Sequence, residues 1–153
     1  MKVQDLSQVS EIKIHYLSNI KPSQRPKIET PIEACNIMRN MPEFMQNIEY
    51  KELFYAIHMN TAGIILSVQK IAEGTTNCVM VDIKHIFQGA ILQNVSEMIV
   101  CHNHPSGNIQ PSPGDFDITD KINSACHLFG IRLKDSMIIT SEDFYSFRSN
   151  GYL

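Results

Sequence analysis

Glu97-Met98-Ile99-Val100-Cys101-His102-Asn103-His104-Pro105-Ser106-Gly107 decides how this chain is read. Its first half is a short apolar run of the kind that forms a buried strand, and its second half places two imidazoles at that strand's C-terminal end. Strand side chains alternate faces, so His102 and His104 project to one side while Cys101 and Asn103 turn away. Pro105-Ser106-Gly107-Asn108 has the composition of a turn that reverses the chain. Ser112-Pro113-Gly114-Asp115 then reads as a helix start. Ser112 suits the N-cap, Pro113 the first helical position, and Asp115 the third residue after the cap, where a carboxylate favours the helix N-terminus. Strand, turn and helix start return Asp115 toward the two histidines. Two nitrogens and one oxygen suit a single Zn²⁺ ion, and three protein ligands leave a fourth tetrahedral position open for water, as in a catalytic site.

Working outward from this stretch, residues 52–59 and 64–71 read as two strands joined by a hairpin turn at 60–63. Residues 77–81 read as a strand and 82–94 as a helix, with Ile83, Ile86, Phe87, Ala90 and Ile91 at helical spacing. The helix opened by Pro113 runs to about Leu128 and ends near Gly130, a glycine suited to the position after a helix C-cap. Residues 131–140 return as a strand, and Ser146-Phe147-Arg148 closes the sheet. A hairpin together with helical crossovers predicts an α/β fold with a mixed β-sheet sandwiched by helices.

Before that core, residues 11–17 alternate polar and apolar side chains and read as an edge or half-buried strand. Residues 18–29 read as an extended loop broken by Pro22 and Pro26. Thr30-Pro31-Ile32-Glu33 is a capping box opening a helix to about Asn40. The expected organisation is an accessory strand and helix in residues 1–47, packed on one compact unit at 48–153.

At 153 residues, with 43% hydrophobic and 19% charged residues, the chain can bury a core without disulfides or a structural metal. No apolar run approaches the roughly 18 residues of a membrane span, and residues 1–10 lack the apolar core of a signal peptide. The expected location is the cytoplasm, with no membrane partner. Cys35, Cys78, Cys101 and Cys126 form no CxxC pair and read as packed thiols. A net charge of −3 lacks the basic footprint of a nonspecific nucleic-acid binder. His15, His58, His85 and His127 read as surface or packing residues. Asp117 and Asp120 read as a solvated helix face, with Asp117 a candidate to support a ligand.

The chain resembles the RadC family, the bacterial branch of the JAB/MPN (JAMM) metalloprotease-like domains. The JAMM pattern is an upstream Glu, then HxHP, six residues, Ser, two residues and Asp; His102, His104, Pro105, Ser112 and Asp115 meet it in register. The RadC form is visible in the 102–107 stretch, in Pro111-Ser112, in Glu73-Gly74-Thr75 and in Phe147-Arg148-Ser149-Asn150-Gly151. The similarity covers about residue 48 to the C-terminus. It implies JAB/MPN-like layering, similar to that of cytidine deaminases, with His102, His104 and Asp115 as ligands of one Zn²⁺. It also implies Ser112 as the group that binds the water or the developing oxyanion. Glu52, in Tyr50-Lys51-Glu52-Leu53-Phe54, is the implied general base, with Glu49 and Glu73 as nearby competitors. The implied reaction is hydrolysis of a peptide or isopeptide bond in a peptide or protein substrate.

Two features depart from the family pattern. Asp135-Ser136 stands where the family commonly carries Asp-His before the last core strand, and only residues 1–47 occupy the place of an N-terminal segment with helix-hairpin-helix character. DNA association therefore rests on the family's name alone. The alternative function is a metal-containing, non-catalytic interaction module associated with DNA repair or mobile-element processing. A zinc nucleobase deaminase would need HxE followed by PCxxC, which the chain lacks. A nuclease is disfavoured by a single open zinc position and the lack of a basic stripe.

Overall fold

A computed structural model describes residues 10, 12–74 and 80–153. Five strands form one mixed sheet in the order β2-β1-β3-β4-β5: β1 (Leu53–Met59), β2 (Ile65–Glu73), β3 (Glu97–Asn103), β4 (Arg132–Ile139) and β5 (Phe144–Ser146). β1 pairs antiparallel with both β2 and β3, β3 pairs parallel with β4, and β4 pairs antiparallel with β5. The parallel pair is joined by a helical crossover, since antiparallel neighbours can be linked by a tight turn and parallel ones cannot. That crossover is helix α4 (Pro113–Leu128), which follows α1 (Pro31–Arg39), α2 (Pro42–Asn47) and α3 (Ile83–Leu92).

All seven residues of β1 are buried, as a central strand covered on both faces requires. Leu53, Tyr55, Ile57 and Met59 of β1 and Ile99 and Cys101 of β3 pack with Ala34, Cys35 and Met38 of α1 and Phe44 of α2. Phe54, Ala56, Met98 and Val100, from the alternate positions, pack with Ile86, Phe87 and Ala90 of α3 and Ile122 and Cys126 of α4. The sheet is thus sandwiched by helices, as expected. Among the described residues, no helix is long and apolar enough to cross a membrane.

Local signals explain the boundaries. Glu33 accepts from Thr30 N–H at 2.8 Å in the expected capping box, and α4 ends at Gly130 with φ +67°, where Ile131 N–H reaches back to Cys126 O at 2.9 Å. The hairpin turn needs Gly63: its φ is +74°, and a Cβ there would lie 2.8 Å from Ile28 O.

Several expectations are corrected. No strand is formed at residues 12–17, and Ile12, Ile14 and Leu17 are exposed: alternation by itself does not make a sheet edge. The 18–29 loop contains a 3₁₀ turn at Pro22–Gln24, and α2 was not foreseen. The strand expected at 77–81 falls mostly outside the described residues, and Met80 and Val81 belong to no strand. β5 lies two residues earlier than expected. Phe147 N–H still bonds Ser136 O of β4, but Arg148 N–H turns to the Asp135 carboxylate and Asn150 N–H closes a turn on Ser146 O, so the strand ends at Ser146.

Asp135 and Ser136 lie inside β4, ahead of the last strand, β5. Buried Asp135 accepts from Ser136 N–H at 2.8 Å, Arg148 N–H at 3.0 Å and Ser146 Oγ at 2.5 Å, so one carboxylate holds β4, β5 and the C-terminal turn together. Burial pushes its pKa upward against these hydrogen bonds. Asp135→Ala strands two buried donors and a part-buried one and is expected to cost about 2–4 kcal/mol in urea unfolding. A loss below about 0.5 kcal/mol, the level of an ordinary surface substitution, would show that Asp135 is not the link.

Candidate metal centre

The metal-ligating candidates come from two elements that meet at one end of the sheet. His102 is the penultimate residue of β3 and sits opposite Phe54 of β1; its ring stacks on Phe54 with centroids 5.7 Å apart and planes 9° from parallel. His104 lies just past the strand. Its Nδ1 is 2.7 Å from Asn108 O, a contact that needs the proton on Nδ1 and leaves the Nε2 lone pair free. Gly107, at φ +79°, closes the turn by donating to His104 O at 3.0 Å.

The helix start behaves as its composition predicts. Ser112 caps α4: its Oγ accepts from Asp115 N–H at 3.3 Å, while Asp115 Oδ2 accepts from Ser112 N–H at 2.6 Å and Ser112 Oγ at 2.7 Å. This reciprocal box leaves Asp115 Oδ1 3.0 Å from His102 Nε2, with Oδ2 3.5 Å from His104 Nε2. The two Nε2 atoms are 3.1 Å apart. Three ligand atoms, all within 4.8 Å of one another, converge from a strand end and a helix start.

This donor set fits a cation on its own chemistry. Two imidazole nitrogens this close, with a carboxylate beside them, share a space that a divalent ion can fill. His104 has the backbone carbonyl partner that orients a metal-ligating imidazole. His102 Nδ1 is buried and has no hydrogen-bond partner among the described residues, so only one of the two rings is braced in this way.

Electrostatics follow the geometry. Burial alone would raise Asp115, but hydrogen bonds from His102, His104 and the Ser112 backbone outweigh it and hold the carboxyl well below its usual range. His104 moves upward, chiefly through its contact with Asp115. Glu52 is buried and its carboxyl is raised chiefly by burial, with His102 and His104 pulling the other way.

Glu52 sits one residue before β1. Continuing the pairing of Phe54 with His102 by two positions sets Glu52 across from His104, on the same face. Its competitors are engaged elsewhere. Glu49 accepts from Ser141 Oγ at 2.8 Å, and Glu73 pairs with Lys51 and Lys70. The ionisation of Glu52 responds to His102, His104 and Asp115.

Asp117 makes an exposed pair with Lys121 at 2.6 Å and stays a solvated-face residue. Cys101 is buried on the α1/α2 face, turned away from the histidines, with its thiol pKa pushed up by burial. Asn103 is the residue that strand alternation left without a role. It is buried on that same face and hydrogen-bonds to the segment carrying Glu52. A polar residue inside a buried strand must find partners, and that was the available signal.

A family model described as the RadC-like JAB domain matches residues 28–152. Curated relatives include a UPF0758 protein of Desulforudis audaxviator, 33% identical over 129 residues, covering 83% of this chain and 54% of the relative. A UPF0758 protein of Pelodictyon phaeoclathratiforme is 34% identical over 142 residues, covering 92% and 60%. One of Clostridium acetobutylicum is 32% identical over 134 residues, covering 87% and 56%. The chain spans about half the length of the curated relatives it matches. With the family model spanning both the ligand cluster and the Glu52 segment, the chain belongs to the RadC-like JAB domain family.

Proposed function

We propose that the protein is a zinc-dependent hydrolase of the JAMM type that cleaves a peptide or isopeptide amide bond in a peptide or protein substrate. The observation that carries this reading is the convergence of His102, His104 and Asp115 at the strand end, with a buried glutamate electrostatically coupled to all three. His102 Nε2, His104 Nε2 and an Asp115 oxygen would hold the ion, which when bound supplies Lewis-acid activation of water and of a carbonyl.

Glu52 takes one proton from the attacking water and later delivers it to the leaving nitrogen. The water oxygen bonds to the amide carbon and the carbonyl electrons become an oxyanion; its collapse then breaks the C–N bond as nitrogen takes the proton from Glu52, and the products are a carboxylic acid and an amine. The Ser112 hydroxyl, whose proton points to Asp115 in this structure, turns to donate to the developing oxyanion. A cytoplasmic site of action belongs to the same reading and is supported by the free, buried thiols of Cys35, Cys101 and Cys126. DNA association has no support beyond the family name.

The test is incubation of zinc-loaded protein with peptide and isopeptide libraries, read by mass spectrometry. Cleavage that a chelator removes and added Zn²⁺ restores is the expected result. Stoichiometric zinc with no cleavage of either bond class would instead favour a metal-containing interaction module.

A further inference from the structure

We infer that Asn103 is the positioning residue that sets Glu52 against the two histidines, because its carboxamide clamps the peptide groups on both sides of Glu52. This rests on the reading of Glu52 as the proton-transfer group.

The β1–β3 ladder runs from Met59 opposite Glu97 to Phe54 opposite His102, and β3 ends one residue later. Beyond that point the Asn103 side chain does the pairing. Its Oδ1 accepts from Leu53 N–H at 2.8 Å, and its Nδ2 donates to Lys51 O at 2.9 Å. Those two groups belong to the peptide units on either side of the Glu52 Cα, so the φ and ψ of Glu52 lie between two fixed planes. Nδ2 also reaches Ile48 O at 2.9 Å, just past the end of α2, and the Glu52 carbonyl accepts from Gly74 N–H at 2.8 Å.

A carboxamide suits this place for a physical reason. It offers both an acceptor and two donors without charge, which makes it a side-chain copy of a peptide group. Aspartate keeps the acceptor and loses the donors, and leucine has the shape and neither. Asn103 is 0% exposed and its bonds to Leu53 and Ile48 are buried, so water cannot take those over. Its place in the chain supplies the coupling. Residues 102–104 aim two imidazoles at one face of the sheet and grip the Glu52 segment on the other. The distance from Glu52 to the histidines is therefore set by one short piece of strand, and a proton-transfer group displaced by about an ångström loses much of its effect.

The test uses the full chain loaded with Co²⁺, whose visible bands report the surroundings of the ion without turnover. Wild type, Glu52→Gln, Asn103→Leu, Asn103→Asp and the double variant Glu52→Gln/Asn103→Leu are titrated with pH. The Asn103 variants should keep Co²⁺ affinity to better than the roughly tenfold loss typical of removing a ligand's own hydrogen-bond partner. Asn103→Leu should move the spectral pH midpoint in the same direction as Glu52→Gln. In the double variant the two shifts should fail to add, because both act through one group. Asn103→Asp carries the same comparison if the leucine variant does not fold, and should shift the midpoint in that direction too.

A lower melting temperature with a wild-type midpoint, or shifts that add in full, would make Asn103 merely structural and overturn the inference. A Glu52→Gln midpoint equal to that of wild type would overturn the reading of Glu52 itself, a result distinct from failure of Asn103 alone.

Discussion

His104→Ala is expected to weaken Zn²⁺ binding by roughly 3–4 kcal/mol, a factor of several hundred, and to remove amide hydrolysis with it. The size follows from four-ligand structural sites, which hold Zn²⁺ with about 10–16 kcal/mol near neutral pH, so each ligand is worth about a quarter of that. Calorimetric titration with Zn²⁺ checks it, and binding within threefold of wild type would remove His104 from the ligand set. The proton competes for the same nitrogen. Asp115 raises His104 above its ordinary 6.5, so zinc affinity should climb as pH rises through that shifted value.

Chelated protein should show a different dependence. The raised His104 contributes stability that is fully present below 6.5 and fades as pH rises through its folded value. The depressed Asp115 contributes stability that is fully present above 3.8 and is lost as pH falls through its folded value. Together the pair stabilises chelated protein most between about 3.8 and 6.5. Loading with zinc should move the best pH toward neutrality, and melting curves in chelator and in Zn²⁺ measure both. Coincident pH profiles would mean that no ion competes with the proton at these residues.

Glu52→Gln should lower kcat for amide hydrolysis by about 10²–10⁴, the usual contribution of a positioned acid–base group, and leave bound zinc near one per chain. Glutamine keeps the shape and cannot take the proton, so KM should change little. Stability should not fall. Burial raises the Glu52 carboxyl, so its ionised form is disfavoured in the folded chain and opposes folding as pH rises through the shifted value. Removing that charge should leave melting at neutral pH equal or slightly higher, the trade expected of a site residue. Activity retained in Glu52→Gln would move the base elsewhere. Lost zinc would mean that Glu52 holds the ion rather than the proton.

Much of this was legible along the chain. A buried strand ending in His102 and His104, and a helix opened by Ser112 and Asp115, are local events governed by side-chain alternation and capping, so composition and spacing suffice to read them. The same holds for the capping box at Thr30 and for Gly130. The strand expected at residues 11–17 shows the limit of such reading. Its alternation is real, yet Ile12, Ile14 and Leu17 are exposed, so pattern alone does not bury a segment as a strand.

The family pattern already names Glu52 ahead of Glu49 and Glu73, and the fold adds a physical reason. Glu49 turns to Ser141 and Glu73 to Lys51 and Lys70, while the register of β1 on β3, extended two residues past Phe54 and His102, puts Glu52 on the histidines' face. Asn103 belongs with it, since its partners lie more than 45 residues away in sequence. The sequence by itself determined which atoms could ligate an ion, because those ligands lie within fourteen residues and follow local geometry. Only the tertiary structure shows what the Glu52 segment is bonded to, because strand pairing joins parts of the chain that no spacing rule connects.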